Sequence, residues 1–552
     1  MILDINFLQT DFLNKNTILA LEQQLLPIYL KKCRWFGAKA RPIRHVEIVE
    51  SILMMSHEDE KIYFFVLQVF YQDASSELYQ LPFSYTIKDA ENLKTNFPKA
   101  IIGEYHNQEN IGVMYDAMYS ENYRTILWKL IVEKQTLLSA NGKIFFESGS
   151  VLTDYINQNQ ANHETAHQDI KLSSRVLTVE QSNSSMIYND KFFLKLYRKL
   201  DRAINPDLEI NRFFAEKTDY KNVASFAGAI EIREPNSEPI VLAMMQKMIE
   251  NQGDAWKLML ELVENFYDKV LILPESEQTK PPILWDAYRF DFKSIHKDLQ
   301  TLITKDVYEK IVLLGKRTAE MHLALASNSE IADFAPKNFT KEYQNYLCEH
   351  LTKNVEDKLA FLKSIRNTLL PNVKADIDKV LNLKNKILAI FTQLKQQPIS
   401  ALRMRMHGDY HLGQVLFNGN DFTIIDFEGE PATPFTERRV KHTVLKDVAS
   451  MVRSFHYAVY ATLLQNDKFK NITDNRLNAW AETWYLCARG FYLESYFATI
   501  GDVGLVPKDN KSREVLLKAF LMEKAIYELC YEANNRPNWL VIPLNGVIKL
   551  AE

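Results

Sequence analysis

Glycine is scarce in this chain: 16 of 552 residues, where average usage is roughly 7 %. That excludes collagen-like and glycine-linker architectures, and it makes each remaining glycine informative. Four of the sixteen lie between Gly408 and Gly429, which marks that stretch for special backbone geometry. Cysteine is scarcer still. Cys33, Cys348, Cys487 and Cys530 are far apart and form no CxxC pair, which argues against a disulfide framework or structural zinc and fits a reducing compartment. Long apolar runs are missing too. The longest, around Ile62–Phe70, is interrupted by Gln68 and is too short to span a bilayer. The opening MILDINFLQTDFL has no basic segment ahead of an apolar core and reads poorly as a signal peptide. Neither charge sign dominates. There are 66 Lys and Arg against 70 Asp and Glu, a net charge of −4, so nothing draws the chain generally to nucleic acid or membrane. The expectation is a cytoplasmic protein with neither as a partner. The local exception is Lys31–Arg44, with six basic residues and no acid; it reads as a solvated face or as an anion contact.

What is present is ordinary for a large globular protein, 47 % hydrophobic and 25 % charged, with length for about three or four domains. Residues 1–105 read as an N-terminal unit: a helix over Thr17–Lys32, then strands at Val46–Met55 and Ile62–Tyr71. Residues 106–250 read as a second, β-rich unit. Within it the polar stretch Thr153–Lys171 reads as an exposed loop or linker. Asn189-Asp190 between two apolar runs reads as a hairpin turn. From about 251 to 552 the pattern is helical, with apolar residues three to four apart over Asp254–Tyr267, Val307–Ala326, Val373–Leu394, Lys446–Leu463, Asn475–Phe497 and Ser512–Asn534. Two strands interrupt it, Val415–Phe417 and Phe422–Asp426.

The glycine cluster sits in MHGDYHLGQVLFNGNDFTIIDFEGEP, Met406–Pro431. Asp409 lies in a Gly- and His-rich loop, Gln414 follows at plus five, and a short hairpin delivers Asp426 at the end of an apolar strand. A loop carboxylate can take a proton from an attacking hydroxyl, while an amide oxygen and a second carboxylate hold a divalent cation. That is the inventory of kinase-type phosphoryl transfer, and hard oxygen ligands suit Mg²⁺. The protein-kinase pattern H-R-D-x-x-x-x-N followed by D-F-G becomes here H-G-D-x-x-x-x-Q followed by D-F-E. The second half of such a site is expected upstream. Lys195 is the lone charge on an apolar strand and Glu209 follows 14 residues later in a helix-like segment, which fits the strand-lysine and helix-glutamate pair that orients phosphates. Gln181, Ser182, Asn183, Ser184 and Ser185 stand where a kinase carries its glycine-rich phosphate loop. They read as a glycine-free substitute or as a plain polar turn. The backbone at Gln246–Met248 is expected to face the adenine of ATP.

These segments resemble the bacterial maltokinase family, which makes maltose 1-phosphate from maltose and ATP and is also found fused to trehalose synthase. The resemblance is carried by RWFGAKAR (Arg34–Arg41), EQSNSS (Glu180–Ser185), NPDLE (Asn205–Glu209), LGKRTAEMHLAL (Leu314–Leu325), HGDYHLGQVL (His407–Leu416), IIDFEGEP (Ile424–Pro431), LKDVASMVRSFHYA (Leu445–Ala458) and EKAIYELCYEANNRPNWLVIPL (Glu523–Leu544). It implies an α+β, bilobal, protein-kinase-like (aminoglycoside phosphotransferase-like) fold, with an N-terminal cap, a β-rich N-lobe and a helical C-lobe. It implies ATP and Mg²⁺ as cofactors, and Asp409 as the base or orienter of the anomeric hydroxyl. Gln414 and Asp426 become metal ligands with Glu428 as a third, and Lys195 and Glu209 take the phosphate-positioning roles. It places the sugar site on the helical lobe, with Glu523, Lys524, Tyr527 and Tyr531 lining it and His407 beside it. The activity it implies feeds α-glucan and glycogen synthesis from trehalose-derived maltose, with trehalose synthase as a candidate partner. Polar stretches in the cap and helical sequence near 340–395 lengthen the chain beyond a typical stand-alone maltokinase.

Two alternatives stay open at this level. One is a phosphotransferase for an aminoglycoside or other amino alcohol, against which the Lys524, Tyr527 and Tyr531 face argues. The other is a non-catalytic pseudokinase module associated with trehalose synthase or a glycogen-metabolising enzyme; the retained Lys195, Asp409 and Asp426 argue against it. Arg438, Arg439 and Lys441 follow the D-F-E-G-E-P block and read as charge stabilisers for a transferred phosphate or as a solvated loop.

Overall fold

The structure, a computed structural model, describes residues 2–3, 12–57, 60–107, 110–163, 172–177, 182–278, 281–282, 288–369, 371–431, 433–470 and 476–552. Gln181, read above as part of the phosphate loop, lies outside them, as do residues 164–171 of the polar stretch. The chain forms two compact units, one of residues 1–215 and 224–249, the other of 216–223 and 250–552.

The first unit holds two seven-stranded sheets. Five long strands of the N-terminal sheet run Ile43–His57, Glu60–Tyr71, Ser76–Thr86, Ile101–Asn107 and Asn110–Asp116. The sheet thus runs on to Asp116, past residue 105, because Ile101–Asn107 and Asn110–Asp116 pair as a hairpin. Along Glu60–Tyr71 the side chains alternate between two cores. Tyr63, Phe65 and Leu67 pack with Leu21, Leu25, Leu26 and Tyr29 of the N-terminal helices. Phe64 and Val66 join a core shared with Met186, Leu194 and Ala243 of the second sheet. This is the period-2 partition of a strand buried on both faces.

The second sheet runs in the order Thr136–Leu138, Lys143–Ser148, Phe226–Arg233, Ile240–Lys247, Phe192–Leu196, Ser184–Tyr188, Ser174–Leu177. The hairpin at Asn189-Asp190 is as read: both residues have positive φ, 51° and 48°, the backbone of a type I′ turn. The polar stretch differs from its reading. Residues Ser150–His163 form a helix. Leu152 is fully buried and Val151, Tyr155 and Ile156 pack on the lobe core, so an apolar start carries a polar remainder.

The two sheets are fastened to one another at Arg198. Its Nη2 donates to Asp116 Oδ2 at 2.6 Å and its Nε to Ser184 Oγ at 2.7 Å, while Trp35 stacks on the guanidinium at 4.7 Å. Residues Lys199–Leu200 then add a strand to the N-terminal sheet beside Ser76–Thr86.

The second unit is built on helices Ala255–Ile272, Lys297–Leu325, Lys341–Ile365, Leu445–Gln465, Arg476–Ile500, Asn510–Asn535 and Val541–Ala551. Helix Leu445–Gln465 packs against Ala255–Ile272, Arg476–Ile500, Asn510–Asn535 and Val541–Ala551. It carries a nearly all-round buried surface from Leu445 to Thr462. The one expected helix over Val373–Leu394 is two, Pro371–Asn382 and Lys384–Gln396. The Val415–Phe417 and Phe422–Ile424 strands pair antiparallel as a hairpin.

Candidate active site

In the second unit the site begins with a buried carboxylate absent from the residues chosen above. Asp447, 1 % exposed, accepts the His407 N–H at 2.9 Å and the Gly408 N–H at 3.0 Å. His322 Nε2 lies 3.2 Å from the same carboxylate, and His322 Nδ1 lies 2.9 Å from the Tyr496 hydroxyl. The ring is thereby held at both nitrogens, Nε2 on Asp447 and Nδ1 on Tyr496. Burial alone would raise the Asp447 carboxyl. Its bond to His322, the charges of His322 and His407 and the Gly408 N–H outweigh burial and hold it below the usual carboxylate range.

The loop from His407 is closed from several sides. His407 Nε2 sits 2.9 Å from Ile425 O, Ser454 Oγ accepts the Leu412 N–H at 3.1 Å, and the Tyr410 hydroxyl meets Thr318 Oγ1 at 2.8 Å. Gly408 and Gly429 both have positive φ, 87° and 75°, and a Cβ on Gly408 would stand 3.2 Å from the Gly429 Cα. Two backbones meet there with no side chain between them, which is what the glycine cluster provides. His407 is thereby a structural member of the loop, buried at 1 % exposure.

Asp409 projects from this clamped backbone. Lys524 Nζ lies 3.6 Å from its Oδ1 and 3.2 Å from Glu430 Oε2, and the Tyr527 hydroxyl donates to Glu430 Oε1 at 2.9 Å. Burial would lower the Lys524 ammonium, but Asp409 and Glu430 outweigh it and hold the group above its ordinary value. Burial would likewise raise Glu430, and Lys524 and Tyr527 hold it down. The pair therefore stays ionised. Glu430, Lys524 and Tyr527 border a cavity of about 360 Å³ whose lining also includes Gly408, Glu437 and Glu523; Asp409 stands beside it, through Lys524. Tyr531 lies outside that lining. It is 46 % exposed and stacks with Arg536 at 5.6 Å, because seven residues carry it about two turns, roughly 10 Å, along the helix from Lys524.

Gln414 and Asp426 come together, with Gln414 Nε2 donating to Asp426 Oδ2 at 2.9 Å. Asp426 occupies the left-handed region, φ 66°. Asp426 and Glu428 offer carboxylate oxygens within 4.8 Å of each other. The two carboxylates offer hard oxygens of the kind Mg²⁺ takes, and Gln414 meets them through its amide nitrogen. Arg438 donates to the carbonyls of Thr433, Glu428 and Pro431 and Lys441 to those of Ala332 and Ala335. Those two cations brace the loop around the cavity. Arg439 pairs with Asp333 at 3.2 Å.

In the first unit, Lys195 Nζ lies 3.3 Å from Asp207 Oδ2, and Tyr197 and Asn211 also donate to that carboxylate. Asp207 is thus a helix carboxylate on Lys195, two positions before Glu209 in the same first turn. The helix begins at Pro206 with Asn205 accepting the Asp207 N–H, so its first turn reaches the lysine strand. The phosphate-loop reading narrows too. Ser184 and Ser185 are buried members of the Ser184–Tyr188 strand, with Ser184 bonded to Arg198; Ser182 and Asn183 precede it. At the end of the sheet, Gln246 donates from its side chain to Asn211 at 2.9 Å. The Met248 N–H is bound to Lys191 O at 2.7 Å, so that donor is already engaged and not presented to a base.

Asp447, Glu430 and Asp207 are the residues that sequence reasoning passed over. A charge inside the apolar LKDVASMV run and a second acid in D-F-E-G-E-P were the available signals, since a buried charge requires a partner.

The fold is α+β and is shared over nearly its whole length with a solved glucosamine kinase. Residues 29–119 match the maltokinase N-terminal cap domain. The structure aligns with a glucosamine kinase solved in complex with glucosamine, ADP and inorganic phosphate, at a TM-score of 0.60 and 14 % identity, covering 97 % of this chain and 99 % of that one. In sequence, the chain is 23 % identical over 404 residues to the glucosamine kinase of Mycolicibacterium smegmatis, covering 71 % of this chain and 85 % of that protein. It is 23 % identical over 138 residues to the glucosamine kinase of Streptacidiphilus jiangxiensis, 29 % of that protein's length.

Proposed function

We propose that the protein is an ATP- and Mg²⁺-dependent sugar kinase, and that maltose, phosphorylated at its anomeric hydroxyl, is the first substrate to test. The observation that carries this reading is Asp409 itself: a carboxylate on a loop clamped by Asp447, beside the Lys524–Glu430 pair at the edge of a cavity of about 360 Å³. The acceptor hydroxyl donates to Asp409, which orients it and takes its proton as the oxygen attacks the terminal phosphorus of ATP; the bond from that phosphorus to the bridging oxygen breaks and ADP leaves. Glu430 draws Lys524 closer than Asp409 does, 3.2 against 3.6 Å, so Asp409 keeps acceptor capacity for a hydroxyl. Glu430, Glu523 and Tyr527 supply hydrogen bonds and an aromatic face to the sugar. Lys195, held by Asp207, positions phosphate in the first unit. Gln414, Asp426 and Glu428 would hold Mg²⁺, which when bound neutralises phosphate charge. The trehalose-derived supply of maltose and a trehalose synthase partner belong to this same reading.

A second substrate, glucosamine, is favoured by the 404-residue match to a glucosamine kinase and by the acids Glu430, Glu437 and Glu523 in the cavity lining. ADP release measured with maltose, glucosamine, glucose and trehalose ranks the two. No release above background with any of these sugars would sink the kinase reading. Asp409→Asn should reduce kcat by about a hundredfold or more with ATP binding retained; an active variant would remove Asp409 from its role.

A further inference from the structure

A second cavity in the helical unit, about 330 Å³, is lined by Arg453, His456, Glu482, Tyr485, Arg489 and Lys549 among others. None of these residues belongs to the candidate active site. The cations are not equally balanced. Arg453 donates from Nε and Nη2 to Glu528 at 3.0 and 2.7 Å, and Lys549 pairs with Glu482. Among the described residues no carboxylate forms an ion pair with Arg489, whose Nε is buried without a hydrogen-bond partner. His456, 2 % exposed, is in the same position: neither ring nitrogen has a partner. Its ring is packed by Tyr460 and Tyr485 at 4.9 and 5.0 Å. Gly546 forms part of the wall, and a Cβ there would stand 2.3 Å from Arg453 Nη1, so the wall admits the guanidinium only because it lacks a side chain.

Buried donors left unmade are costly, and two of them, on a guanidinium and an imidazole, line one cavity. We propose that this cavity is a binding site for a small oxyanion, a phosphate ester or carboxylate, with Arg489 and His456 as its ligands and Tyr485 as its floor. An anion there receives charge-assisted hydrogen bonds from Arg489 and one from the His456 ring nitrogen that carries the proton. The site also has a position of consequence. Arg453 and His456 flank Ser454 on helix Leu445–Gln465, and Ser454 and Asp447 on that helix hold the 407–412 loop. Occupancy of one side of the helix is thus in line to reach the loop on the other.

The test is calorimetric titration of the full chain with inorganic phosphate, with acetate as a separate arm to tell a phosphate site from a general carboxylate site. Hydrogen exchange locates the bound anion. Saturable binding with slowed exchange around 453–456 and 485–489 is expected. Arg489→Gln should weaken it by about tenfold to a hundredfold, the worth of one hydrogen bond to a charged group. His456→Gln provides a second variant, and Arg489→Gln, on a partly exposed position, is the one expected to fold without difficulty. Phosphate binding unchanged in Arg489→Gln, protection confined to other parts of the chain, or no saturable binding of either anion would overturn the proposal.

Discussion

Asp447→Asn isolates the clamp beneath the catalytic loop. The carboxylate receives two backbone N–H groups at 2.9 and 3.0 Å and the His322 ring at 3.2 Å, wholly inside the protein. An asparagine keeps one acceptor oxygen but turns an NH₂ toward one of those donors, leaving a buried N–H unpaired and removing the charge from the rest. A lost hydrogen bond to a charged group is worth about 1.5–3 kcal/mol, so the substitution should cost about 3 kcal/mol. For a helical unit on the order of 300 residues, the unfolding entropy of about 2.1 cal/mol/K per residue converts this to a fall in Tm of about 5 °C. Activity should fall further than stability. Displacing a positioned group by about 1 Å costs on the order of a hundredfold, and Asp409 directly follows Gly408, whose N–H is released. Calorimetry and ADP release on the same preparation make the comparison. A variant melting within about 1 °C of the parent and turning over within about twofold would refute the clamp. The carboxyl is held below its usual range, so it ionises at lower pH folded than unfolded. Its contribution is complete above about pH 4 and is lost as the pH falls below that.

Other features carry their own tests. Arg198 and Asp116, each 1 % exposed in side chain, form a buried pair, and removing one partner from such a pair costs about 3–5 kcal/mol. Asp116→Ala should destabilise the first unit by that much in urea, and a loss under about 1 kcal/mol would contradict it. His442 is pushed down to about 3 by removal from water and by Lys446 and His350, with the Tyr343 hydroxyl 2.6 Å from its Nδ1. The folded chain keeps this ring neutral where the unfolded chain takes a proton. Stability is therefore complete above about pH 6.5 and declines as the pH falls toward 3. His442→Gln should flatten the urea midpoint between pH 7 and 5, and an equally steep profile would exclude His442 as a source. Gly408→Ala meets both a φ of 87° and the Gly429 Cα at 3.2 Å, and should cost about 1–2 kcal/mol along with most of the turnover. Gly37→Ala, with nothing within 4 Å of its Cβ, is the control that should change neither.

Local signals were the legible ones. Asn189-Asp190 declared a turn because those residue types tolerate positive φ, and the spacing from Asp409 to Gln414 and Asp426 is internal to one loop and hairpin. The kinase-like fold followed from that block together with the cap motif around Trp35. What stayed hidden depends on where an element starts or what packs on it. Lys195 was visible as a charge needing a partner, yet that Asp207 reaches it depends on the helix starting at Pro206. Ser184 and Ser185 look like loop serines until the strand is seen to begin at Ser184. Ser150–His163 is helical through its first turns of apolar contact and not through its composition. Asp447 is about 40 residues from the loop it holds, and no sequence window contains both.

The strand Lys199–Leu200 bears on how such a protein can be taken apart. It belongs by sequence to the second sheet's run of strands, yet it hydrogen-bonds beside Ser76–Thr86, and Gln80 donates to the carbonyls of Tyr197 and Leu242 at 2.6 Å. A cap excised at its matched boundary, residue 119, would leave behind one of its own strands and the guanidinium that fills its edge, and would expose unpaired backbone of the kind that aggregates. The cap is therefore no detachable module. Grafting it onto another lobe, or exchanging it between relatives, requires carrying the 197–200 segment as part of the same cassette.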